Sequence, residues 1–329
     1  MIARFIIHHL WLIDLLCLLV IPLLILCFGW LFSRRRHTKR PLVIGLTLAL
    51  IAAATFCYGR FFETQQLEVR HVELTFSDLP AEFDGYRLVQ VSDLHVGSLP
   101  DGMLQRVVDS INAQQPGLIL FTGDMINCAQ AEMERVLPQL KRMKAKDGIC
   151  SVLGNHDYGY YELADDANAS IQEGSLVSTE MDMKWRVLLN GYRYVRRRGD
   201  KRLVIAGMEN DSEEPSPYHP QKGNLNIALD GVSLNDFVIM LEHDPTSWRR
   251  TILRHCHAQL TLSGHTHGGQ ITLFGWSPAS LRYRECEGLY TIKGRHLYVS
   301  KGVGGAIPFR LGAKPEIVVI TLRRGNSQS

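Results

Sequence analysis

The chain has 329 residues, with 36 Lys and Arg against 33 Asp and Glu and a formal net charge of +3 at pH 7. The charge is uneven: residues 1–59 carry six Lys or Arg against Asp14 alone (+5), and the remainder carries 30 basic and 32 acidic residues (−2). A domain with that balance has no basic footprint, so no nucleic-acid partner is expected. The seven cysteines include no C-x-x-C pair, which excludes a zinc ribbon, and their scatter does not indicate a disulfide scaffold.

Two apolar runs open the chain and predict a membrane anchor over residues 1–59. One transmembrane helix is predicted at about 10–32 and a second at about 41–58, both within the length range that spans a bilayer. The loop between them, SRRRHTKR, has five Lys or Arg in eight residues. Because short basic loops stay in the cytoplasm, we predict a multi-pass protein of the bacterial inner membrane with its large domain on the extracytoplasmic side. A cleaved signal peptide and the opposite orientation stay open as alternatives.

The rest of the chain predicts one domain at 85–323, preceded by a connecting strand and linker at 60–84 and followed by a tail at 324–329. Strand-like runs alternate with helix-like stretches at 101–114 and 131–144, in the rhythm of βαβ units. The predicted strands lie around 72–76, at 86–91, 118–121 and 149–153, in a meander at 184–190, 192–197 and 202–207, and at 237–241, 259–262, 297–300 and 317–321. We predict an α/β fold with two packed mixed β-sheets flanked by helices.

Polar motifs follow several of these strands at the point where each strand ends. The motifs are VSDLH, FTGD, LGNHD, LEHDP and SGHTH. Strand exits of this kind assemble a site at the carboxyl edge of an α/β sheet. The candidate side chains are all oxygen or imidazole donors, namely Asp93, His95, Asp124, Asn155, His156, His243, His265 and His267.

This donor set suits transition metals. Asp93 and His95 are two residues apart, so in a strand both side chains would point to one face. The carboxylate of Asp124 has two oxygens and can bridge two ions. Mixed nitrogen and oxygen donors without thiolate favour Mn, Fe, Zn or Ni over Ca or Mg. Two divalent ions roughly 3.5–4 Å apart would hold a shared water as hydroxide and clamp an in-line phosphoryl displacement.

The order D-x-H, G-D, G-N-H-D, a lone His and G-H-T-H resembles the calcineurin-like metallophosphoesterases over residues 85–321. The GGQ after GHTH and the N-terminal anchor are similar to the bacterial membrane-associated phosphodiesterase branch of that family. The resemblance implies a four-layer αββα fold and two divalent metal ions. It implies that one ion binds Asp93, His95, Asp124 and His267. It implies that the other ion binds Asp124, Asn155, His243 and His265.

The resemblance also implies that His156 is no ligand but faces the phosphate and protonates or stabilises the leaving oxygen, with Asp157 orienting it. The predicted function is a membrane-anchored, dinuclear phosphodiesterase that uses a metal-bridging hydroxide on a phosphodiester of lipid or envelope origin. One alternative is a non-catalytic metal-binding sensor or adaptor, against which the intact His156 and Asp157 argue. Another is a nucleotide-sugar lipid pyrophosphatase, if the domain is cytoplasmic.

Three further features are open to more than one interpretation. Phe274 and Trp276 lie in a loop beyond GHTH. The interpretations are a wall of the substrate site, a lip that faces the membrane, or simple packing against the domain. The Arg196–Arg198 run flanks a turn, where a solvated hairpin tip is the default and contact with lipid headgroups the alternative. Gly268 and Gly269 follow two candidate ligands, which predicts a backbone that passes close to the ions.

Overall fold

The computed structural model describes residues 9–162 and 166–325, so 326–329 of the predicted tail lie outside the described residues. The first described elements are two apolar helices, α1 (Leu10–Arg36) and α2 (Arg40–Gln65). Both are long and apolar enough to cross a membrane. Helix α2 runs past its predicted end at residue 58 and carries the chain directly into the domain.

The end of α2 is built into the domain. The backbone N–H of Arg310 donates to the Gly59 carbonyl at 3.1 Å. Strand β1 (Glu68–Phe76) then pairs in parallel with β14 (Glu316–Arg324) along its whole length. The interval 60–84, predicted as a connecting strand and linker, therefore contributes an edge strand to the domain.

The first sheet combines β1 and β14 with β2 (Arg87–Val91), β3 (Leu118–Thr122), β4 (Ile149–Val152) and β5 (Arg186–Val187). Its strand order is β1-β14-β2-β3-β4-β5. Strands β2 to β5 run parallel to one another, and β14 runs antiparallel to β2. The connections between them contain helices α3 (Met103–Ala113), α4 (Leu137–Leu140) and α5 (Asp166–Asp182).

The second sheet contains β6 (Gly191–Arg196), β7 (Arg202–Gly207), β10 (Phe237–Leu241), β11 (Leu260–Ser263), β12 (Gly288–Ile292) and β13 (Arg295–Val299). Its order is β12-β13-β11-β10-β7-β6, with parallel central strands and an antiparallel strand at each edge. A separate hairpin is formed by β8 (Asp211–Ser216) and β9 (His219–Gln221). The helical segments here are α6 (Leu225–Ala228) and α7 (Trp248–Ile252 with Leu253–His255).

Alternation along the strands divides the core into layers. Leu88 and Leu120 of the first sheet pack against a cluster that includes Ile205 and Ile239 of the second. The opposite face of the first sheet packs on α3, and the outer face of the second sheet packs on α6 and α7. Successive residues of a strand face opposite sides of its sheet, so each strand contributes side chains to two layers of the core. Both sheets are therefore covered on both faces. This four-layer arrangement confirms the predicted fold class.

Two predicted elements are wrong. The stretch 131–144 is not one helix, because Pro138 lies in the first turn of the short α4, where its missing N–H is tolerated. The stretch 184–190 does not join a meander: only β5 forms there, and it pairs with β4 in the first sheet, since Trp185 is buried in that sheet's core. The meander is therefore a two-stranded hairpin of β6 and β7.

Candidate metal centre

The strand exits of the two sheets converge on one cluster of donor atoms. The first donor group consists of Asp93, His95, Asp124 and His267, whose ligand atoms lie within 4.8 Å of one another. The second donor group contains Asp124, His243 and His265 within the same limit, and Asn155 joins it. The Asn155 Oδ1 lies 2.8 Å from the His265 Nδ1. The two groups share Asp124 and have the same members as the two ligand sets that the resemblance implies.

Most of these side chains stand on strained backbone. Positive φ is uncommon for residues other than glycine and costs about 1–3 kcal/mol at each position, which sites of function tolerate. Because β2 ends at Val91, left-handed turns rather than the pleat of a strand direct the D-x-H pair into the site. The φ values are 51° at Asp93, 45° at His95, 56° at Asp124, 72° at His265 and 52° at His267.

Two motif glycines are needed because ligand side chains lie against the backbone. A Cβ on Gly154 would collide with Asp124 Oδ1, and a Cβ on Gly264 would collide with Asp93 Oδ2. Gly269 differs, since its Cβ would collide with Ser277 Oγ. Gly268 also lies against a neighbouring side chain, because its Cβ would collide with Glu287 Oε2. That the GG pair after GHTH brings the backbone close to the ions stays a prediction.

The hydrogen bonds of His243 leave one nitrogen for a cation. Its Nδ1 donates to the Thr122 carbonyl at 2.7 Å. Its Nε2 is buried without a hydrogen-bond partner among the described residues and lies 3.2 Å from Asp124 Oδ2. A buried, unpartnered imidazole nitrogen beside a carboxylate is costly unless a cation lies between them. The residues present therefore fit a divalent metal ion.

The first donor group shows the same crowding. The Nε2 atoms of His95 and His267 face each other at 3.3 Å, and His95 Nε2 is 3.5 Å from Asp124 Oδ2. Burial lowers the pKa of His95 to about 3 and holds the pKa of His267 well below its usual value. In the second donor group, burial lowers the pKa of His265 to about 4. Burial, with the carboxylate of Asp124 adding to it, raises the pKa of Asp93 to about 7. These three imidazoles are therefore neutral at pH 7, the state in which histidine binds a transition metal. His243 differs, because the carboxylate of Asp124 beside it holds its pKa well above the usual value.

His156 lies beside both donor groups but belongs to neither of them in the described part of the chain. Its Nδ1 donates to the Asn127 carbonyl at 2.6 Å, and its backbone N–H donates to Asp124 Oδ1 at 2.9 Å. The ring of Tyr161 stacks on it at 3.8 Å. The imidazole of His156 is thus held in one orientation by Asn127 and Tyr161.

Asp157 has a different position from the one implied by the resemblance. Its carboxylate holds the loops after β3 and β4 together. The His156 imidazole is oriented instead by the hydrogen bond that its Nδ1 donates to the Asn127 carbonyl. Four backbone N–H groups donate to it at 2.8–3.2 Å, those of Asp124, Met125, Ile126 and Gly154.

Sequence reasoning missed two tyrosines of the second donor group. The Tyr161 hydroxyl accepts from Asn155 Nδ2 at 3.0 Å, and the Tyr283 hydroxyl lies 3.0 Å from His265 Nε2. A polar cavity beside His265 is lined by Tyr283 and His219, among others. No motif marks these residues, and the sequence alone does not distinguish Tyr161 from its neighbouring tyrosines.

Sequence reasoning also missed Arg310, a fully buried guanidinium behind the first donor group. Its side chain donates to the carbonyl of Ala313 at 3.0 Å, to those of Gly302 and Gly304, and at 3.5 Å to that of His267. Burial lowers the pKa of Arg310 to about 10, so it stays charged at neutral pH. Arg310 braces the backbone of a candidate ligand.

A four-layer α/β sandwich, whose strand exits place two carboxylate–imidazole groups around one shared aspartate, defines a metallophosphoesterase. The profile of the calcineurin-like phosphoesterase family matches residues 86–269. The chain belongs to this family, and the predicted resemblance is confirmed.

Its relatives include proteins from bacteria and a vertebrate. The chain is 32% identical to the metallophosphoesterase YkuE of Bacillus subtilis, covering 89% of this chain and 99% of that protein. It is 29% identical to a transmembrane protein with metallophosphoesterase domain of Danio rerio, covering 90% and 68%. It is 27% identical to the UDP-2,3-diacylglucosamine pyrophosphatase LpxG of Chlamydia trachomatis, covering 84% and 97%.

Proposed function

We propose that the protein is a membrane-anchored, dinuclear metal-dependent phosphodiesterase. The observation that carries the proposal is the pair of donor groups that share Asp124, with His156 beside them and outside both. A binding-only protein would have no use for an oriented, non-ligating imidazole at that position. For this reason we favour an enzyme over a metal-binding sensor or adaptor.

Each group of side chains would have a separate role in the reaction. Two divalent cations held by the two donor groups would supply charge compensation and an activated water at neutral pH. His156, oriented by Asn127 and stacked on Tyr161, would present Nε2 to the leaving oxygen and protonate it. Asp157 would keep the loops that carry Asp124 and His156 in register through its backbone hydrogen bonds.

The charge around the cavity supports a diester over a monoester. Among the described residues that line it, Arg282 is the one Lys or Arg, and Glu214 is paired with it at 2.8 Å. Burial also lowers the pKa of His219, so that ring is neutral at pH 7. A monoester dianion would find little positive charge there beyond the cations, whereas a diester carries a single negative charge.

Membrane anchoring rests on α1 and α2. The basic loop between the helices lies at one end of the pair, and the ion pair of Arg60 with Asp14, at 3.0 Å, lies at the other. Retention of the basic loop in the cytoplasm would put the domain on the extracytoplasmic side of the inner membrane. A periplasm-active reporter fused after Ser329 should then be active, and activity of a cytoplasm-only reporter there would contradict this topology.

A nucleotide-sugar lipid pyrophosphatase is the second candidate, favoured by the likeness to LpxG. It requires the opposite orientation, because nucleotide-linked lipid precursors are cytoplasmic.

A substrate panel with the full chain, purified in detergent and loaded with Mn, separates the candidates. We expect hydrolysis of bis(p-nitrophenyl) phosphate well above that of p-nitrophenyl phosphate. Preferential hydrolysis of UDP-2,3-diacylglucosamine would select the second candidate, and metal binding without any hydrolysis would select the sensor.

A further inference from the structure

An exposed apolar turn stands beside the metal centre. The backbones of Leu273 and Trp276 exchange hydrogen bonds at 2.9 and 3.0 Å. The two residues between them, Phe274 and Gly275, have φ of 52° and 79°. Such two-residue turns favour Asn or Gly at both positions, so Phe274 is strained, and its side chain is fully exposed. Neither packing nor backbone preference explains a phenylalanine here.

This segment of the chain exposes four large apolar side chains, which we name the apolar lip and define as Leu273, Phe274, Trp276 and Leu281. All four side chains are exposed. A cluster of large apolar side chains in water is unfavourable, and such clusters mark interaction surfaces.

The lip is mounted on the loop that carries a candidate ligand. Thr272 Oγ1 and Ser277 Oγ stand on either side of the turn and both donate to the Gly268 carbonyl, at 3.3 and 2.8 Å. Gly268 directly follows His267. The lip therefore has a defined position relative to the metal centre.

The lip also lies close to the end of α2. The backbone N–H of Thr272 donates to the Leu311 carbonyl at 2.7 Å, and the next residue back, Arg310, donates to Gly59 at 3.1 Å. With strands about 4.8 Å apart and a rise of about 3.3 Å per residue, this path puts Phe274 within roughly 20 Å of Gly59.

Charges on α1 and α2 mark where a bilayer would end. Residues 15–33 and 41–59 are two uncharged runs of 19 residues each, bounded by the Asp14–Arg60 ion pair at one end and the basic loop at the other. At 1.5 Å per residue each run spans about 28 Å, close to the roughly 30 Å of a hydrocarbon core. The boundary on the domain side therefore lies at Arg60, next to the residue that contacts Arg310.

We propose that the apolar lip inserts into the bilayer that holds α1 and α2, which places the mouth of the metal centre at the level of the lipid headgroups. Tryptophan is enriched at membrane interfaces, where its ring lies at the level of the headgroups. Phenylalanine and leucine beside it can reach the boundary with the acyl chains. The consequence for the substrate, a phosphodiester presented by a lipid in the same membrane, rests on the proposed function.

Tryptophan quenching tests the insertion. The full chain is reconstituted in vesicles of phosphatidylethanolamine and phosphatidylglycerol, with and without bromine on the acyl chains. The emission of Trp276 is taken as the difference between the wild type and Trp276→Phe. It should lose intensity in the brominated lipid, as expected for a ring at the membrane interface. Absence of bromolipid quenching would overturn the proposal, whether or not aqueous iodide quenches.

Leu234 offers a matched control. It is 83% exposed in the loop before β10, at the opposite end of that strand from the metal centre. A tryptophan introduced as Leu234→Trp in the Trp276→Phe background should be quenched by iodide and not by bromolipid. Equal bromolipid quenching at both positions would also overturn the assignment of the lip as the membrane-facing surface.

Hydrolysis of bis(p-nitrophenyl) phosphate by the wild type in the same vesicles separates the two proposals. Quenching without hydrolysis would remove the proposed function and leave the inserted lip. Hydrolysis without quenching would remove the lip alone.

Discussion

The two donor groups of the metal centre share Asp124 but contact different parts of the molecule. The first group is backed by the buried Arg310 and, through that residue's backbone, by the end of α2. The second group contacts Tyr161 and Tyr283 and borders the polar cavity. The first donor group is thus held by the fold and the end of α2, and the second donor group contacts side chains that border the cavity. Mutations on each side should separate these roles.

Removing Asp124, which the two donor groups share, should disrupt both groups at once. Asp124→Ala takes one donor from each group, so we expect loss of both metals and no detectable hydrolysis. Elemental analysis of the purified full chain measures the metals. Asp109→Ala, which removes an exposed carboxylate on α3, is the control and should retain both. Two metals per chain in Asp124→Ala would rule out a bridging aspartate.

The second-largest effect is expected from removing the imidazole of His156, which belongs to neither donor group. His156→Ala should lower kcat by about 10²–10⁴-fold, the range for a general acid, with metal content nearly unchanged. The exposed His71 on β1 provides the control His71→Ala. A variant that lost its metals along with its activity would show His156 to be a ligand.

The positions of these residues were predictable because each motif follows a strand and ends in a loop. The strand runs before SDLH, TGD, GNHD and GHTH are short and apolar, which predicts that each motif lies in the loop at the carboxyl end of its strand. The turn conformation of Asp93 and His95 was not predictable from spacing alone, because it depends on left-handed backbone that neighbouring loops impose.

A third test acts on the first donor group alone. Arg310→Met keeps side-chain volume but leaves the carbonyls of Gly302, Gly304 and Ala313 without their donor. We expect affinity for one metal to fall by about 10–100-fold, as for other residues that hold a ligand in place, with the second metal little affected. Stepwise metal titration by calorimetry resolves the two events, with exposed Arg142→Met as the control. An equal loss at both sites would contradict the division of the centre.

The smallest effect belongs to the second group. Tyr161→Phe keeps the ring stacked on His156 and loses the hydrogen bond to Asn155, which at about 1 kcal/mol predicts a roughly fivefold lower kcat. Tyr161→Leu loses both contacts and should fall further. If the Phe variant were as poor as the Leu variant, stacking would have no part in placing His156.

Features that depend on distant partners escaped prediction. Arg310 lies 43 residues from His267, and no residue pattern links the two. Helix α5 has few apolar side chains at helical spacing, so its periodicity is weak. Arg197, expected in a solvated hairpin tip, instead pairs with Asp147 at 2.7 Å because the fold brings β6 beside the loop before β4. Each case is decided by tertiary contact rather than by local sequence.

The dependence of activity on the number of bound metal ions most directly tests the proposal of a dinuclear phosphodiesterase. The full chain is stripped with a chelator and titrated with Mn while metal content and hydrolysis of bis(p-nitrophenyl) phosphate are followed together. We expect no activity in the stripped protein, little with the first equivalent, and full activity only as the second equivalent binds. Full activity in protein that holds no metal by elemental analysis would contradict the role assigned to both donor groups.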